Sequence, residues 1–160
     1  MTYLQCKDDT PEEGCVFCVI DKDIEDRERL ILCRGRLAFV MMNKYPYTNG
    51  HLLIAPYRHL GDIADLSAEE VAEMHHLLVR AKNALQHCIM PQGFNVGINL
   101  GRIAGAGIAD HLHMHLVPRW VGDTNFMPVF ADVRVIPQHL EETYAILSRC
   151  FAEKNICRQE

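Results

Sequence analysis

Short apolar runs separated by polar, glycine- or proline-containing segments mark the first part of the chain. The runs Arg29–Cys33 and Leu37–Met42 flank a polar turn centred on Gly35, a spacing typical of a hairpin. A third run, His51–Ala55, ends at Pro56. Runs of this length predict strands rather than helices. The pattern therefore predicts an antiparallel meander of three strands.

A long amphipathic helix is predicted next. Ser67 and Glu70 occupy the first and last positions of a capping box, which is a signal for a helix start. Apolar residues then recur at spacings of three and four, over about twenty residues, until Pro91 and Gly93 end the pattern. The predicted inner stripe consists of Val71, Met74, Leu78, Ala81, Leu85 and Cys88.

The remainder of the chain predicts two more strands and a second helix. The strands Phe94–Leu100 and Ala109–Val117 flank the glycine-rich loop Gly101–Gly107, and Pro118 is expected to end the second strand. Apolar residues at helical spacing from Leu140 to Phe151 predict a C-terminal helix. Three strands, a helix, two strands and a helix favour an α+β fold with an antiparallel sheet over an alternating α/β fold.

Length and charge narrow the classes of protein. The length of 160 residues predicts a single domain, over residues 15–160, and the polar, acidic composition of Met1–Gly14 predicts an N-terminal tail. Its formal net charge of −5 argues against a general nucleic-acid binder, because that affinity comes from basic side chains on phosphates. We find no apolar stretch long enough to span a membrane. The polar N-terminus and the odd number of cysteines, seven, predict mostly thiols or metal ligands in a cytoplasmic protein.

Three histidines at alternate positions are the strongest chemical signal. His111, His113 and His115 would share one face if this segment is a strand. A polar outer face that happens to use histidine is one interpretation, although protonated histidines would repel one another there. The others are a nucleophilic or acid–base site and a histidine-rich metal centre such as that of a zinc hydrolase.

Two further motifs add to this signal. Cys15 and Cys18 form a C-x-x-C pair, which can be a redox pair, half of a zinc site or a coincidence. Zinc needs two more ligands, and the best candidates are His59 and one of the alternating histidines. The glycines between Gly101 and Gly107 allow backbone N–H groups to approach an anion, so the loop is a candidate phosphate cradle.

The motif His-x-His-x-His, followed by Leu116-Val117, resembles the signature of the histidine-triad (HIT) superfamily of nucleotide hydrolases and transferases. The segment Gly50–Pro56, whose His51 lies eight positions after Asn43, and the segment Phe94–Asn99 are also similar to that superfamily. The continuation from Pro118 to Val129 resembles the branch that contains bacterial diadenosine tetraphosphate phosphorylases.

The resemblance implies a five-stranded antiparallel sheet with one long helix and a C-terminal helix, in a subunit that forms a homodimer or a tetramer. It implies that His113 attacks the α-phosphorus of a nucleotide to form a nucleotidyl-histidine, with His115 and His51 as the other catalytic residues. The small-molecule partner would be a nucleoside polyphosphate, such as diadenosine tetraphosphate, cleaved by hydrolysis or phosphorolysis.

Binding residues follow from the same resemblance. Structural zinc is implied at Cys15, Cys18, His59 and His111. The nucleotide, with its AMP moiety, is implied to contact Asn43 and Asn99. Beside the resemblance, the backbone amides of Gly105 and Gly107 are expected to complete the phosphate cradle, and Met41 is a candidate wall for the base.

The chain departs from the superfamily just before the triad. Ala106-Gly107-Ile108 stands where the superfamily usually has Gly-Gln-Ser or Gly-Gln-Thr, so side chains that contact the leaving group are missing. Alternative functions therefore stay open. They are phosphoramidate hydrolysis, hexose-1-phosphate nucleotidyl transfer, a non-enzymatic AMP-binding regulatory role, and hydrolysis by a zinc ion bound to the triad itself.

Overall fold

The structure, a computed structural model, describes residues 15–18, 25–123 and 140–153 of the 160-residue chain. The predicted acidic tail at residues 1–14 and the part of the branch-specific segment from residue 124 to 129 lie outside the described residues.

The described residues form one sheet and two α-helices. The strands occur in the order β1-β2-β3-β5-β4 across the sheet, and every neighbouring pair is antiparallel. This confirms the predicted α+β fold with a five-stranded antiparallel sheet, a long helix and a C-terminal helix. No helix in the described ranges is long and apolar enough to cross a membrane. The elements are β1 (Ile31–Arg34), β2 (Ala38–Met42), β3 (Leu52–Pro56), α1 (Ala68–Cys88), β4 (Gly93–Ile98), β5 (Met114–Arg119) and α2 (Leu140–Glu153).

The first three strands form the predicted meander. β2 and β3 pair along their whole length, from Met42 opposite Leu52 to Ala38 opposite Pro56. Gly50 precedes β3 with a φ of 75°, and a Cβ there would lie 2.7 Å from Cδ1 of Ile89. Glycine is therefore required where this loop turns beneath the end of α1.

Each face of the sheet buries a separate apolar cluster. Alternation along β2 and β3 sends one set of side chains towards the helices, where Leu116 of β5 joins them. Their neighbours point to the opposite face and form a smaller cluster. The buried members of this smaller cluster, which we call the site-face cluster, are Cys15, Phe17, Phe39, Leu53 and Ala55.

The long helix begins as predicted but is rotated relative to the predicted stripe. Ser67 and Glu70 form the capping box with both of its hydrogen bonds. Val71 is 51 % exposed, whereas Leu77, which the stripe omits, is buried. The helix packs on α2 as well as on the sheet, so its buried face is set by two neighbours rather than one. The buried apolar residues of α1 are Met74, Leu77, Ala81, Ala84 and Leu85.

The last strand differs from its prediction at both ends. β5 runs from Met114 to Arg119 instead of from Ala109 to Val117, and Pro118 lies inside it, opposite Phe94 of β4. On its other side β5 pairs with β3 only as far as Leu116. Pro118 is tolerated because β3 begins only at Leu52, opposite Leu116, so no β3 residue requires an N–H at position 118.

Cys88 and Cys150 form a disulfide that joins α1 to α2, with their Cα atoms 6.4 Å apart. The expectation of thiols is wrong for this pair. The two cysteines are 62 positions apart, so no local pattern could pair them. Among the described residues, Cys15, Cys18 and Cys33 are not part of a disulfide.

Candidate active site and metal centre

The alternating histidines lie on the face of the sheet opposite α1. His115 belongs to β5, where it is opposite Leu53 of β3 and Gly97 of β4. His111 and His113 precede the strand, in a segment held by the N–H of Leu112, which donates to the carbonyl of Leu60 at 2.6 Å. The rings of His113 and His115 are 5.0 Å apart, so the two imidazoles meet although only one is in the ladder.

His51 and His115 form a hydrogen-bonded pair whose tautomers follow from their partners. Nδ1 of His51 accepts from the backbone N–H of Tyr47 at 3.1 Å. The neutral ring therefore carries its proton on Nε2, which donates to Nδ1 of His115 at 3.0 Å. His115 must then be protonated at Nε2, a buried atom with no hydrogen-bond partner in the described part of the chain. This N–H is a preorganised donor for an incoming anion.

The ring of His113 has the opposite tautomer. Its Nδ1–H donates to the backbone carbonyl of His111 at 2.8 Å, which leaves the lone pair on Nε2. Burial lowers the pKa of His113, so the ring is neutral near pH 7. A neutral imidazole with one nitrogen fixed by a carbonyl can act as a nucleophile through the other nitrogen.

Four sulfur and nitrogen ligands converge beside this histidine. The ligand atoms of Cys15, Cys18, His59 and His111 all lie within 4.8 Å of one another. Nε2–H of His111 donates to the carbonyl of Pro56 at 2.9 Å, so its lone pair is on Nδ1, 3.4 Å from each cysteine sulfur. Nδ1 of His59 lies 3.0 Å from the sulfur of Cys18.

This donor set suits a structural metal ion. Two thiols and two imidazoles are a common tetrahedral zinc set, in which sulfur and nitrogen ligands lie about 3.5 Å apart. The observed sulfur–nitrogen distances of 3.0 to 3.4 Å are close to that value. Burial and the neighbouring Cys15 raise the pKa of the Cys18 thiol to about 11, so metal binding there must displace a proton.

Of the predicted nucleotide contacts, Asn43 lies directly beside one of the site histidines. The side chain of Asn43 is within 3.3 Å of Nδ1 of His51 and accepts from the N–H of Tyr45 at 2.9 Å. Met41 is half-buried and packs against the site-face cluster. Asn99 is half-buried in the loop that follows β4.

The glycine-rich loop uses part of its backbone internally. Gly105 adopts the left-handed conformation, and its N–H donates to the carbonyl of Arg102 at 3.0 Å. The N–H of Ala106 is directed at the carbonyl of Gly101, 3.4 Å away. The amide of Gly107 makes no hydrogen bond within the described ranges. Of the amides predicted to form the phosphate cradle, this is the one that is still available to a ligand.

Comparison with known proteins identifies the family. Residues 26–121 match the HIT domain, which is more than half of the chain. The chain belongs to the HIT domain family.

Two curated HIT proteins and one solved HIT structure are informative relatives. The chain is 41 % identical to an AP-4-A phosphorylase of Mycobacterium tuberculosis over 131 residues, which cover 82 % of this chain and 67 % of that protein. It is 32 % identical to the adenosine 5′-monophosphoramidase hnt1 of Schizosaccharomyces pombe over 66 % of this chain and 74 % of that protein. A zinc-bound histidine triad family protein from Mycobacterium smegmatis has a TM-score of 0.68 and 25 % identity, over 89 % of this chain and 96 % of that chain.

Two residues beside the site histidines were not predicted from the sequence. Phe17 is 2 % exposed, and its ring lies 4.8 Å from that of His113. Tyr47 supplies the N–H that sets the tautomer of His51, and its ring lies 4.6 Å from that histidine. The only feature of the sequence that could have pointed to Phe17 is its position between the two cysteines of the C-x-x-C pair. No sequence pattern signals a backbone donor such as Tyr47.

The buried histidines predict a loss of stability in mild acid. Burial and the neighbouring imidazoles of His115 and His113 lower the pKa of His51 to about 3, and burial and His113 lower that of His115 to about 4. In the unfolded chain both titrate near pH 6.5, so below that pH the unfolded state binds more protons and is favoured. Between pH 7 and pH 5.5 we expect the free energy of unfolding to fall by about 2–3 kcal/mol.

Urea unfolding at the two pH values, with zinc in excess, measures this fall. His51→Gln should reduce it by about half, whereas the exposed His75→Gln should leave it unchanged. A pH dependence that His51→Gln does not alter would contradict the assignment.

Proposed function

We propose that this HIT protein cleaves nucleoside polyphosphates at the α-phosphorus through a nucleotidyl-histidine at His113. The observation that carries the proposal is the pair of opposite tautomers. The hydrogen bond to the His111 carbonyl fixes the lone pair of His113 on Nε2. The hydrogen bond from Nε2–H of His51 to Nδ1 of His115 fixes the proton of His115 on Nε2, which has no partner in the described part of the chain. A nucleophile beside a fixed donor is the arrangement that phosphoryl transfer requires.

The reaction proceeds in two displacements. Nε2 of His113 attacks the α-phosphorus, the bond from phosphorus to the bridging oxygen breaks, and the distal phosphate group leaves with the electron pair. Nδ1–H of His113 remains bonded to the His111 carbonyl and stabilises the positive charge on the substituted ring. The Nε2–H of His115 donates to an oxygen on which charge develops. An acceptor then attacks phosphorus, and the phosphorus–nitrogen bond breaks.

The preferred substrate is a dinucleoside tetraphosphate, and the acceptor is inorganic phosphate. This choice is supported by the 41 % identity to the AP-4-A phosphorylase of M. tuberculosis. Attack at the α-phosphorus of diadenosine tetraphosphate releases ATP and leaves AMP on His113. Transfer of that AMP to phosphate gives ADP, whereas transfer to water gives AMP.

The acceptor is determined by product analysis. We expect diadenosine tetraphosphate to be converted into ADP and ATP when phosphate is present, with turnover at least about tenfold slower when phosphate is removed. Chromatographic separation of ADP from AMP, with and without phosphate, measures both outcomes. AMP as the product at equal rates under both conditions would establish hydrolysis and refute the phosphorylase assignment.

Phosphoramidate hydrolysis is the second candidate, because the chain is also 32 % identical to the monophosphoramidase of S. pombe. It would use the same nucleotidyl-histidine with an amine as the leaving group. Comparison of kcat/KM for adenosine 5′-phosphoramidate with that for diadenosine tetraphosphate separates the two candidates.

The Cys15–Cys18–His59–His111 cluster is proposed to hold a structural zinc ion. All four ligand positions are supplied by side chains, a feature of structural sites, and the zinc-bound HIT relative from M. smegmatis supports the choice of metal. Bound zinc would act as a cross-link between the segment that contains Cys15 and the segment before β5. The chemistry of His113 needs no metal ligand.

The subunit is proposed to form a homodimer through β4. This strand is at one edge of the sheet, and Val96 within it is 52 % exposed. Ile103, in the loop after β4, is fully exposed. An edge strand with an exposed apolar side chain is a template for pairing with another strand, and a second copy of the chain would cover it.

A further inference from the structure

The C-x-x-C segment carries an aromatic ring into contact with the proposed nucleophile. The backbone turns between Cys15 and Cys18, whose N–H donates to the Cys15 carbonyl at 3.0 Å. This turn places the two intervening side chains differently, because Val16 is 50 % exposed whereas Phe17 is 2 % exposed. Of the two residues between the cysteines, only Phe17 packs against the sheet, so a shift of the turn relative to the sheet would move its ring.

Phe17 contacts both functional groups of the site. Its ring is 4.8 Å from the ring of His113, with 30° between the planes, and 5.1 Å from the ring of His111, with 43° between the planes. On its other side it meets Phe39 of the site-face cluster at 6.5 Å. The phenylalanine thus lies against a proposed metal ligand and against the proposed nucleophile.

The ring of His113 depends on such a neighbour for its orientation. A single hydrogen bond, from Nδ1 to the His111 carbonyl, fixes one atom of the ring but allows the ring to pivot about that bond. Contact with a buried aromatic face removes this freedom and holds the Nε2 lone pair in one direction. Misplacement of a reacting atom by about 1 Å can lower a rate by about 100-fold.

The position of Phe17 depends in turn on the cysteines that flank it. The ligands come from three separate parts of the chain, the Cys15–Cys18 turn, His59 and His111. A metal ion bonded to all of them fixes the turn relative to the segment before β5. Without the metal, the polar contacts that join the sulfurs to His59 and His111 are thiol–imidazole contacts at 3.0 to 3.4 Å, which are weak hydrogen bonds, and the turn is otherwise held by the packing of the site-face cluster.

We propose that Phe17 is a positioning residue through which occupancy of the cysteine–histidine metal site sets the orientation of the His113 ring. The rate measurements that test this inference rest on the proposed function, whereas the NMR measurement of the His113 ring does not. The zinc site is thereby more than a cross-link, because its loading determines how well the nucleophile is aimed.

The test compares Phe17→Ala and Phe17→Leu with Val16→Ala, the neighbouring residue of the same turn that faces solvent. Zinc content, AMP affinity and the single-turnover rate of nucleotidyl-histidine formation are measured for each full-length variant. We expect Phe17→Ala to keep one zinc ion and AMP affinity within about twofold while the rate falls about 10- to 100-fold. Phe17→Leu, which restores part of the packing, should recover part of the rate, and Val16→Ala should match the unmodified protein.

Removal of the metal tests whether the metal site affects the rate through Phe17. Chelation should slow nucleotidyl-histidine formation by about tenfold or more in the unmodified protein and have little further effect in Phe17→Ala. Equal losses in both proteins would show that the metal acts through His111 instead, and would overturn the proposal. An unchanged rate in Phe17→Ala, or a loss confined to AMP affinity, would overturn it as well.

A spectroscopic readout separates this proposal from the proposed function. In ¹⁵N-labelled zinc-loaded protein, the Nδ1–H proton of His113 should give a sharp resonance, assigned by its loss in His113→Gln. We expect that resonance to broaden in Phe17→Ala and after chelation, and to remain sharp in Val16→Ala. If the resonance behaves in this way but no nucleotidyl-histidine forms, the positioning inference stands and the proposed function fails. A resonance that is sharp in all samples rejects the inference.

Discussion

Replacing His113 with alanine should abolish nucleotidyl transfer, by at least about 1,000-fold, while AMP affinity stays within a few-fold of its original value. Removal of the imidazole removes the Nε2 lone pair that attacks phosphorus. The donors that we propose to hold the nucleotide, such as the Nε2–H of His115, remain. Acid quenching with labelled diadenosine tetraphosphate, followed by denaturing separation, measures the covalent intermediate, and calorimetric titration with AMP measures binding.

Two variants make this result specific. His75→Ala removes an exposed histidine of α1 and should leave the intermediate and the turnover unchanged. His115→Ala removes a donor rather than the nucleophile, so it should lower the rate by about 100- to 1,000-fold and still allow a trapped intermediate. A labelled intermediate in His113→Ala would place the nucleophile elsewhere and end the proposed mechanism.

Local rules predicted the elements that local interactions determine. The capping box of Ser67 and Glu70 marked the first turn of α1, because both of its hydrogen bonds lie within four residues. The strands β2 and β3 were found because each is an apolar run bounded by turn residues. The histidines were recognised as one chemical unit because of their alternate spacing, and the rings of His113 and His115 do meet although His113 precedes β5.

Long-range contacts determined what the sequence analysis missed. The rotation of α1 depends on α2 as well as on the sheet, which is why Leu77 is buried and Val71 is not. Pro118 continues β5 because β3 begins only opposite Leu116, which depends on the neighbouring strand rather than on the proline. The tautomer of His51 depends on the N–H of Tyr47, a backbone group that every non-proline residue has.

The metal ligands could be predicted only in part from the residues themselves. Cys15 and Cys18 were recognisable as a pair, and the distance of His59 along the chain did not exclude it as a third ligand. The choice of His111 as the fourth ligand came from the family resemblance. Physical reasoning supports it only after folding, because the Pro56 carbonyl binds Nε2–H of His111 and so directs its Nδ1 lone pair towards the sulfurs.

Removal of zinc should lower stability more than any other change outside the sheet core. Structural zinc sites contribute directly to folding free energy, and here the ion would join the Cys15–Cys18 turn to His59 and His111. We expect chelation to lower Tm by about 10 °C or more, which corresponds to about 3–5 kcal/mol for a chain of this size. Scanning calorimetry of zinc-loaded and chelated protein measures the shift.

Two exposed histidines, one a proposed zinc ligand and one not, give matched variants for this measurement. His59→Ala removes a proposed ligand and should reproduce most of the loss of Tm and of bound zinc, whereas His76→Ala should change neither. Chelated protein that is still folded should form the nucleotidyl-histidine faster than His113→Ala does, because Nε2 of His113 is retained. Complete loss of the reaction with an unchanged Tm would instead identify the ion as catalytic, and the division between a metal-bound His111 and a nucleophilic His113 would be wrong.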